Sequence, residues 1–258
     1  LNLVIKNYRK PYVAMIDGIA MGGGVGVSVH GSHRIAGDRF SFAMPEVGIG
    51  FFPDVGATWF LPRMPGELGA YCALTGDRFT ANDAVSSGIA THRIASAQFD
   101  AVLDGLTGTV SVDAVLAAFS QPEDQGPISQ RRTAIDRLFA ADRVDAILDA
   151  LDREGQSNSA DAGWAQRTAD TIRTKSPLSL KIALAQVRRG KNWDFETCML
   201  TEFRIVSRIV EGHDFYEGVR AVIVDKDNEP RWRPAALTEI RDTEVERHFA
   251  PLGKAELV

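Results

Sequence analysis

The sequence contains little cysteine, little excess charge of either sign and no long uninterrupted apolar run. Its 2 cysteines, Cys72 and Cys198, lie far apart without recognisable ligand partners, which excludes a disulfide scaffold and a cysteine-rich metal site. The formal net charge of -5 gives no electrostatic basis for binding nucleic acid or an anionic membrane. The most apolar stretch, 11–29, includes Asp17 and several glycines and makes a poor membrane span. These features predict a soluble protein of a reducing compartment.

The first part of the chain alternates short apolar segments with glycine-containing turns. The run 12–16 stops at Asp17-Gly18, which predicts a buried strand that ends in a turn. Residues 25–30 favour a helix that begins with a glycine cluster and is closed by Gly31. Two further short strands are expected at 34–36 and 40–43. This pattern is typical of an α/β core.

Helical signals dominate the rest of the chain. They predict an α/β core over 1–95, a mainly helical region over 96–258 and a polar linker at 121–127. We expect a helix over 68–74 closed by Gly76, and a second helix that begins with a capping box at Thr80 and Asp83 and is closed by Gly88. Ser176-Pro177 should begin a helix that ends at Gly190. Asp194 should cap the next helix, and a second capping box is expected at Asp214 and Glu217.

The first candidate site is the glycine cluster Met21-Gly22-Gly23-Gly24-Val25-Gly26, between a predicted strand and a predicted helix. Glycine lets the backbone turn sharply and lets a ligand approach an exposed N–H at a helix N-terminus, where negative charge is favoured. The spacing matches neither the dinucleotide-binding pattern nor a P-loop. A structural turn and an oxyanion site both remain open from the glycines alone.

The second candidate site is the loop over 44–54, which places Glu46 and Asp54 among apolar residues. Burial of Glu46 among them would disfavour its ionised form and raise its pKa toward neutrality, where it could transfer protons. The alternative for Glu46 is a solvent-exposed loop acid. The alternative for Asp54 is a helix N-cap, because a helix is expected to follow it.

Together these segments resemble the crotonase (enoyl-CoA hydratase/isomerase) superfamily, and specifically its 3-hydroxyisobutyryl-CoA hydrolase branch. The resemblance rests on the glycine triplet, Phe42-Ala-Met-Pro-Glu46, Gly50-Phe-Phe-Pro-Asp54-Val-Gly, Phe60-Leu-Pro-Arg63, Ala73-Leu-Thr-Gly76, Gly88-Ile-Ala-Thr-His92, Ser176-Pro-Leu-Ser-Leu-Lys181, Glu211-Gly-His-Asp-Phe-Tyr-Glu-Gly-Val-Arg-Ala221, Asp225-Lys-Asp227 and Pro230-Arg-Trp-Arg-Pro234. It covers most of the chain outside 96–174. It implies a crotonase-like ββα spiral core, followed by a helical C-terminal region, and a CoA thioester substrate.

The resemblance also implies roles for individual residues. Gly23 corresponds to a backbone donor of the family's oxyanion hole, with Gly22 beside it in the substrate site. Hydratases of the superfamily hold a water between two glutamates, whose positions correspond here to Gly26 and Glu46. Asp54 occupies a position that is usually glycine in hydratases but acidic in the hydrolase branch and in some isomerases.

The absence of an acid at Gly26 favours thioester hydrolysis over hydration of a carbon–carbon double bond. Hydration requires the water and the α-carbon proton to be managed together, whereas hydrolysis requires an oxyanion hole and one acid/base group. We therefore predict hydrolysis of a short-chain 3-hydroxyacyl-CoA, such as 3-hydroxyisobutyryl-CoA in valine breakdown. Glu46 acts as base or nucleophile, Asp54 binds the 3-hydroxyl or passes a proton, and Gly23 stabilises the oxyanion. The alternatives are an enoyl-CoA hydratase/isomerase and a non-catalytic scaffold that keeps the fold.

The remaining expectations concern partners, cofactors and location. We expect an acyl-CoA substrate, no metal and no separate cofactor, no nucleic-acid or membrane partner, and a possible homo-oligomer. The family's second oxyanion-hole loop normally lies well upstream of the triplet, and only 21 residues precede Gly22, so we expect the sequence to be a fragment. A cytoplasmic location is expected, with the mitochondrial matrix as the alternative.

Overall fold

The structure is a computed structural model that describes residues 1–122 and 125–257. Two residues of the predicted linker, Glu123 and Asp124, lie outside the described residues, as does Val258. The strands are β1 Val13–Ile16, β2 Ile19–Ala20, β3 His33–Ala36, β4 Ser41–Phe42, β5 Phe79–Thr80 and β6 His92–Arg93. The α-helices are α1 Asn2–Lys6, α2 Gly23–Ser28, α3 Ala57–Phe60, α4 Leu68–Thr75, α5 Ala81–Ala84, α6 Phe99–Leu106, α7 Val112–Phe119, α8 Arg132–Leu138, α9 Val144–Gly155, α10 Ala162–Arg173, α11 Pro177–Gly190, α12 Phe195–Ile209, α13 Asp214–Val219 and α14 Asp242–Phe249. Short 3₁₀ turns and one π-helical turn, Arg220–Val224, occur between them.

The chain forms two compact units, each built from two separate segments. The first unit comprises 1–43 and 78–132, and the second comprises 44–77 and 133–258. The strands found in the described residues all lie in the first unit. The predicted division into 1–95 and 96–258 stays a prediction.

Two small sheets organise the first unit. One has the order β1-β3-β6 with parallel pairing, and the other has the order β2-β4-β5, in which β2 and β4 are parallel and β4 and β5 antiparallel. Helices α6 and α7 cover the first sheet through a core that includes Ile35, Ile94, Val102 and Leu116. The parallel strands β1 and β3 are joined by a crossover that contains α2, because the ends of parallel strands cannot be joined by a tight turn.

The three strands predicted within 12–43 are confirmed, with one difference in burial. The residues of β1 are only partly buried, because β1 lies at the edge of its described sheet. Ile35 and Ala36 in the central strand β3 are fully buried. The helix expected over 25–30 is α2, which begins at Gly23 and ends at Ser28, before the predicted cap.

Helices form the second unit. Helix α11 packs against α3 and α4, and α12 packs against α3 and α14. A buried cluster joins α11, α12 and α14 and consists of Phe52, Ile182, Ile205, Ile209, Ile240, Val245 and Phe249. In the part of the chain that is described, no helix combines the length and the apolar character needed to cross a membrane.

Most predicted helix boundaries in the second unit are confirmed. Gly76 ends α4 in a left-handed conformation with φ +65°, and α11 begins and ends at the predicted residues. The hydroxyl of Ser176 accepts the Ser179 N–H at 3.2 Å, and the Asp194 carboxylate accepts the Thr197 N–H at 2.7 Å. The sequence identifies these ends because a short polar side chain satisfies helix amides locally.

Two predicted boundaries are wrong. The capping box at Thr80 and Asp83 is present, but α5 ends at Ala84, well before Gly88. The box at Asp214 and Glu217 is absent, because Asp214 is the first helical residue and distant groups use its carboxylate. That carboxylate accepts hydrogen bonds from the Ser176 hydroxyl at 2.7 Å and from the Arg233 N–H at 2.8 Å. Tertiary partners here replace the local cap.

Candidate active site

The glycine cluster forms a sharp turn into helix α2 in the first unit. Gly22 has φ +47° and ψ -123°, a backbone conformation that residues with a Cβ atom rarely adopt. Gly23 is the first residue of α2, and its N–H donates no hydrogen bond within the described residues. A Cβ atom placed on Gly22, Gly23 or Gly24 would meet no atom within 4 Å. The turn thus presents an unused backbone donor beside open space, the arrangement that an oxyanion site requires.

Glu46 begins a 3₁₀ turn in the second unit. The turn Glu46–Ile49 follows Pro45 and ends at Gly50, whose φ is +68°. Adjacent backbone leaves no room for side chains there: a Cβ atom on Gly50 would lie 2.2 Å from the Asp214 carbonyl oxygen, and one on Gly218 would lie 2.3 Å from the Ile49 carbonyl carbon. Helix α13 therefore supports the turn that carries Glu46 through direct backbone packing.

The Glu46 carboxyl is buried and only partly satisfied. The residue is 7% exposed, and its Oε2 atom has no hydrogen-bond partner within the described part of the chain. Burial is the main cause that raises the pKa of Glu46 to about 8; its own backbone amide lowers it, and the charge of Asp54 raises it further. The solvent-exposed alternative for Glu46 is therefore wrong. A carboxyl with this pKa can accept or release a proton near neutral pH.

Asp54 lies in an unusual stretch of backbone before α3. Val55 and Gly56 follow it with φ +52° and +90°, both in the left-handed region. The N-cap of α3 is Gly56, which has no side chain, so the N-cap alternative for Asp54 is wrong. Burial raises the pKa of Asp54, and its own backbone amide lowers it.

The charge of Asp54 acts on Glu46. Both belong to the second unit, and the Asp54 charge contributes to the raised pKa of Glu46. Gly22 and Gly23 belong to the first unit, and their position beside this pair stays a prediction.

Two polar residues of the second unit were not found by sequence analysis. Glu202 on α12 and Gln186 on α11 are buried at 5% and 0% exposure, and both bond to the segment around Asp54. One signal could have found Glu202, because it lies four residues after Cys198 and three before Ile205, on the apolar face of its helix. An acid on such a face usually has a specific partner.

The described residues contain no group of three or more histidine, cysteine, aspartate or glutamate side chains that could hold a metal ion. The thiol of Cys72 on α4 is buried, and burial together with the charge of Glu46 raises its pKa. Cys72 is therefore a protonated core residue.

Comparisons with known proteins define the class. A profile described as enoyl-CoA hydratase/isomerase matches residues 1–249. The 3-hydroxyisobutyryl-CoA hydrolase, mitochondrial, of Xenopus tropicalis is 41% identical over 267 residues, which cover 100% of this chain and 68% of the relative. The chain therefore belongs to the enoyl-CoA hydratase/isomerase family, a family of enzymes, as the sequence motifs predict.

Two solved structures confirm the predicted crotonase fold. A carnitinyl-CoA dehydratase from Mycobacterium thermoresistibile superposes with a TM-score of 0.90 and 41% identity, over 100% of this chain and 72% of that one. An enoyl-CoA hydratase from Rhodobacter sphaeroides superposes with a TM-score of 0.88 and 34% identity, over 100% of this chain and 73% of that one. The names of the relatives thus include both a thioester hydrolase and enzymes of the hydration type.

Proposed function

We propose that this protein hydrolyses a short-chain 3-hydroxyacyl-CoA thioester, with 3-hydroxyisobutyryl-CoA as the first candidate. The observation that carries the proposal is the buried Glu46 carboxyl, whose pKa is raised to about 8 mainly by burial and further by the charge of Asp54. Relatives named 3-hydroxyisobutyryl-CoA hydrolase support the choice of substrate. Their names also support a mitochondrial location for this chain. A place in valine breakdown is proposed from the family resemblance alone.

Glu46 is assigned to the chemistry at the thioester carbonyl. As a general base it takes a proton from water while the water oxygen attacks the carbonyl carbon. The tetrahedral intermediate then collapses, the carbon–sulfur bond breaks, and the proton goes to the leaving thiolate of CoA. As a nucleophile, the Glu46 carboxylate attacks the carbonyl itself, the carbon–sulfur bond breaks, and the CoA thiolate leaves as an anhydride forms. Water then hydrolyses the anhydride and supplies the proton that the thiolate takes up, which regenerates the Glu46 carboxylate.

Gly23 and Asp54 are assigned to binding and stabilisation. The unused N–H of Gly23, in the turn that begins at Gly22, donates to the carbonyl oxygen as it becomes negative. Loss of one oxyanion donor typically lowers turnover by about 10²–10³-fold, so this interaction is a principal contribution. Asp54 accepts a hydrogen bond from the 3-hydroxyl of the acyl group or passes a proton to Glu46.

The second candidate function is enoyl-CoA hydration or dehydration. The names of the two solved structures favour it, and Asp54 would then serve as the second acid. Helix α2 reads Gly-Gly-Val-Gly-Val-Ser, so it offers no carboxylate at the position of Gly26. Addition of water across a double bond would therefore lack one of the two acids that the reaction uses elsewhere in the superfamily.

One pair of assays tests the proposal. Incubation with 3-hydroxyisobutyryl-CoA should release free thiol, whereas crotonyl-CoA should keep its enoyl absorbance. Loss of enoyl absorbance without thiol release would establish the second function, and neither change would indicate a non-catalytic scaffold.

Substitution of Glu46 tests its assignment. Glu46→Gln keeps the shape of the side chain but removes the base, so turnover should fall by about 10²–10⁴-fold while CoA-ester binding, measured by calorimetry, stays nearly intact. An active Gln variant would reject the assignment.

Multiple turnovers in H₂¹⁸O separate the two mechanisms, because only the nucleophilic one places label in Glu46.

A further inference from the structure

The carboxylate of Glu202 accepts hydrogen bonds from the backbone that follows Asp54. Its Oε2 atom accepts the Gly56 N–H at 2.8 Å, and its Oε1 atom accepts the Thr58 N–H at 2.9 Å. These two amides lie at the N-terminus of α3, where backbone N–H groups have no partner within the helix. The Glu202 side chain on α12 thus binds the first and the last residue of the segment 56–58.

Gln186 extends this network to the residue before Asp54. Its Nε2 atom donates to the Pro53 carbonyl oxygen at 2.6 Å and to the Thr58 hydroxyl oxygen at 2.7 Å. The Thr58 hydroxyl in turn bonds to the Glu202 carboxylate. The backbone is therefore held on both sides of Asp54, by α11 before it and by α12 after it.

The segment needs such support because its conformation is unfavourable. Val55 has φ +52°, and a β-branched residue in the left-handed region is a genuine, energetically unfavourable outlier. Such a conformation persists only where surrounding groups over-determine it. Relaxation of Val55 would rotate the peptide that precedes it and redirect the Asp54 side chain.

We infer that Glu202 is a positioning residue for Asp54, which acts by fixing the left-handed turn at Val55 and Gly56 through two charge-assisted backbone hydrogen bonds. The inference rests on the proposed function for its kinetic consequences, since it assigns Glu202 to the same reaction. Glu202 itself does not touch the substrate in this mechanism.

The chemical identity of residue 202 supports this role. Burial, opposed by the hydrogen bonds from Gly56 and Thr58 and increased by the Asp54 charge, raises the pKa of Glu202 to about 7. An ionised carboxylate in such surroundings is costly, and a glutamine would be cheaper to bury. Only the carboxylate, however, accepts a hydrogen bond at both of its terminal atoms.

The kinetic test is the substitution Glu202→Gln in the full chain. One terminal atom of the amide becomes a donor and faces a backbone N–H, so the turn should loosen. Misplacement of a reacting group can cost about 10²-fold, and we expect a kcat loss of about that size with KM changed by less than roughly threefold. The matched control is Glu196→Gln, which changes an exposed acid on the same helix and should leave both constants unchanged.

A double-mutant cycle separates positioning from general damage. If Glu202 acts through Asp54, Glu202→Gln should add little further loss of kcat in an Asp54→Asn background. The same fold-loss in both backgrounds would overturn the inference. The cycle is measured on whichever CoA ester the wild-type protein turns over, so a failure of the proposed hydrolysis is identified first and separately.

Two further measurements test the inference if the protein shows no turnover or if the Glu202→Gln variant does not fold. Amide hydrogen exchange at 54–58 needs no turnover, and Glu202→Gln should accelerate exchange at Gly56 and Thr58 specifically. Unchanged exchange there would overturn the inference.

If Glu202→Gln does not fold, Thr58→Val removes the hydroxyl that links Gln186 to Glu202 at similar volume, and a loss of kcat with unchanged KM is again expected. Wild-type kcat in a folded Thr58→Val variant would count against the network.

Discussion

Glu46 combines a chemical group that favours water with surroundings that exclude it. Its neighbours in sequence, Met44 and Val47, are fully buried. The protonated form of Glu46 is therefore favoured at pH values where an exposed glutamate is ionised. This one shift has consequences for both activity and stability.

The activity should increase with pH up to about 8. In the proposed mechanism hydrolysis requires ionised Glu46, and burial raises its pKa to about 8. The kcat/KM of the free enzyme should therefore fall about tenfold for each pH unit below that value. Asp54→Asn removes the charge that raises this pKa, so the midpoint should move to lower pH. A pH–rate profile measured between pH 5 and 9 checks both statements. A flat profile over this range would contradict them.

The stability should show the opposite trend. The carboxyl of Glu46 has its ordinary pKa of 4.5 in the unfolded chain and a pKa of about 8 in the folded protein, so between these values the folded state binds more protons. Its contribution to stability is present below pH 4.5 and is lost as the pH rises through 8. Glu46→Gln should therefore raise the free energy of unfolding by a few kcal/mol at pH 9 and by much less near pH 5, since each pKa unit corresponds to about 1.36 kcal/mol. Urea unfolding at the two pH values measures the difference.

At the scale of elements, the contact between α13 and the 3₁₀ turn of Glu46 has no free space. A Cβ atom on Gly218 would overlap the Ile49 backbone, whereas one on Gly163 in α10 would meet only the end of the Arg167 side chain at 3.4 Å. Gly218→Ala should therefore destabilise the fold and lower activity, since α13 must move away from the turn. Gly163→Ala should instead stabilise the protein by about 0.5–1 kcal/mol, because alanine is the better helix former. Thermal unfolding of the two variants gives opposite shifts if this packing is correct.

The elements also show how far sequence reasoning reaches. The boundaries of α4 and α11 depend on Gly76, Ser176 and Gly190, whose local chemistry is readable in the sequence. The failure at Asp214 has the opposite cause, because its partners Ser176 and Arg233 lie far away in sequence. Of the candidate site, the burial of Glu46 follows from its apolar neighbours, whereas the support for Asp54 by Glu202 and Gln186 depends on long-range packing.

At the scale of the whole molecule, both cysteines are free and buried. Burial raises the pKa of Cys198 to about 12 and also raises the pKa of Cys72, so neither forms a reactive thiolate at neutral pH. A disulfide reagent such as DTNB should therefore find almost no thiol in the native protein and 2 per chain after denaturation. Rapid native reaction would contradict the described packing. The result also decides whether release of CoA can be followed with the same reagent without background from the protein.

The path of the chain through its two units has a consequence for biosynthesis. The backbone leaves the first unit after Ala43, returns at Arg78 and leaves it again after Arg132. During translation, residues 44–77 emerge long before 133–258, which complete the second unit. The first unit likewise stays incomplete until 78–132 have been synthesised. Nascent chains of intermediate length therefore expose apolar surface that only later residues can cover. A holdase chaperone should be most useful after 44–77 have emerged and before 133–258 are complete.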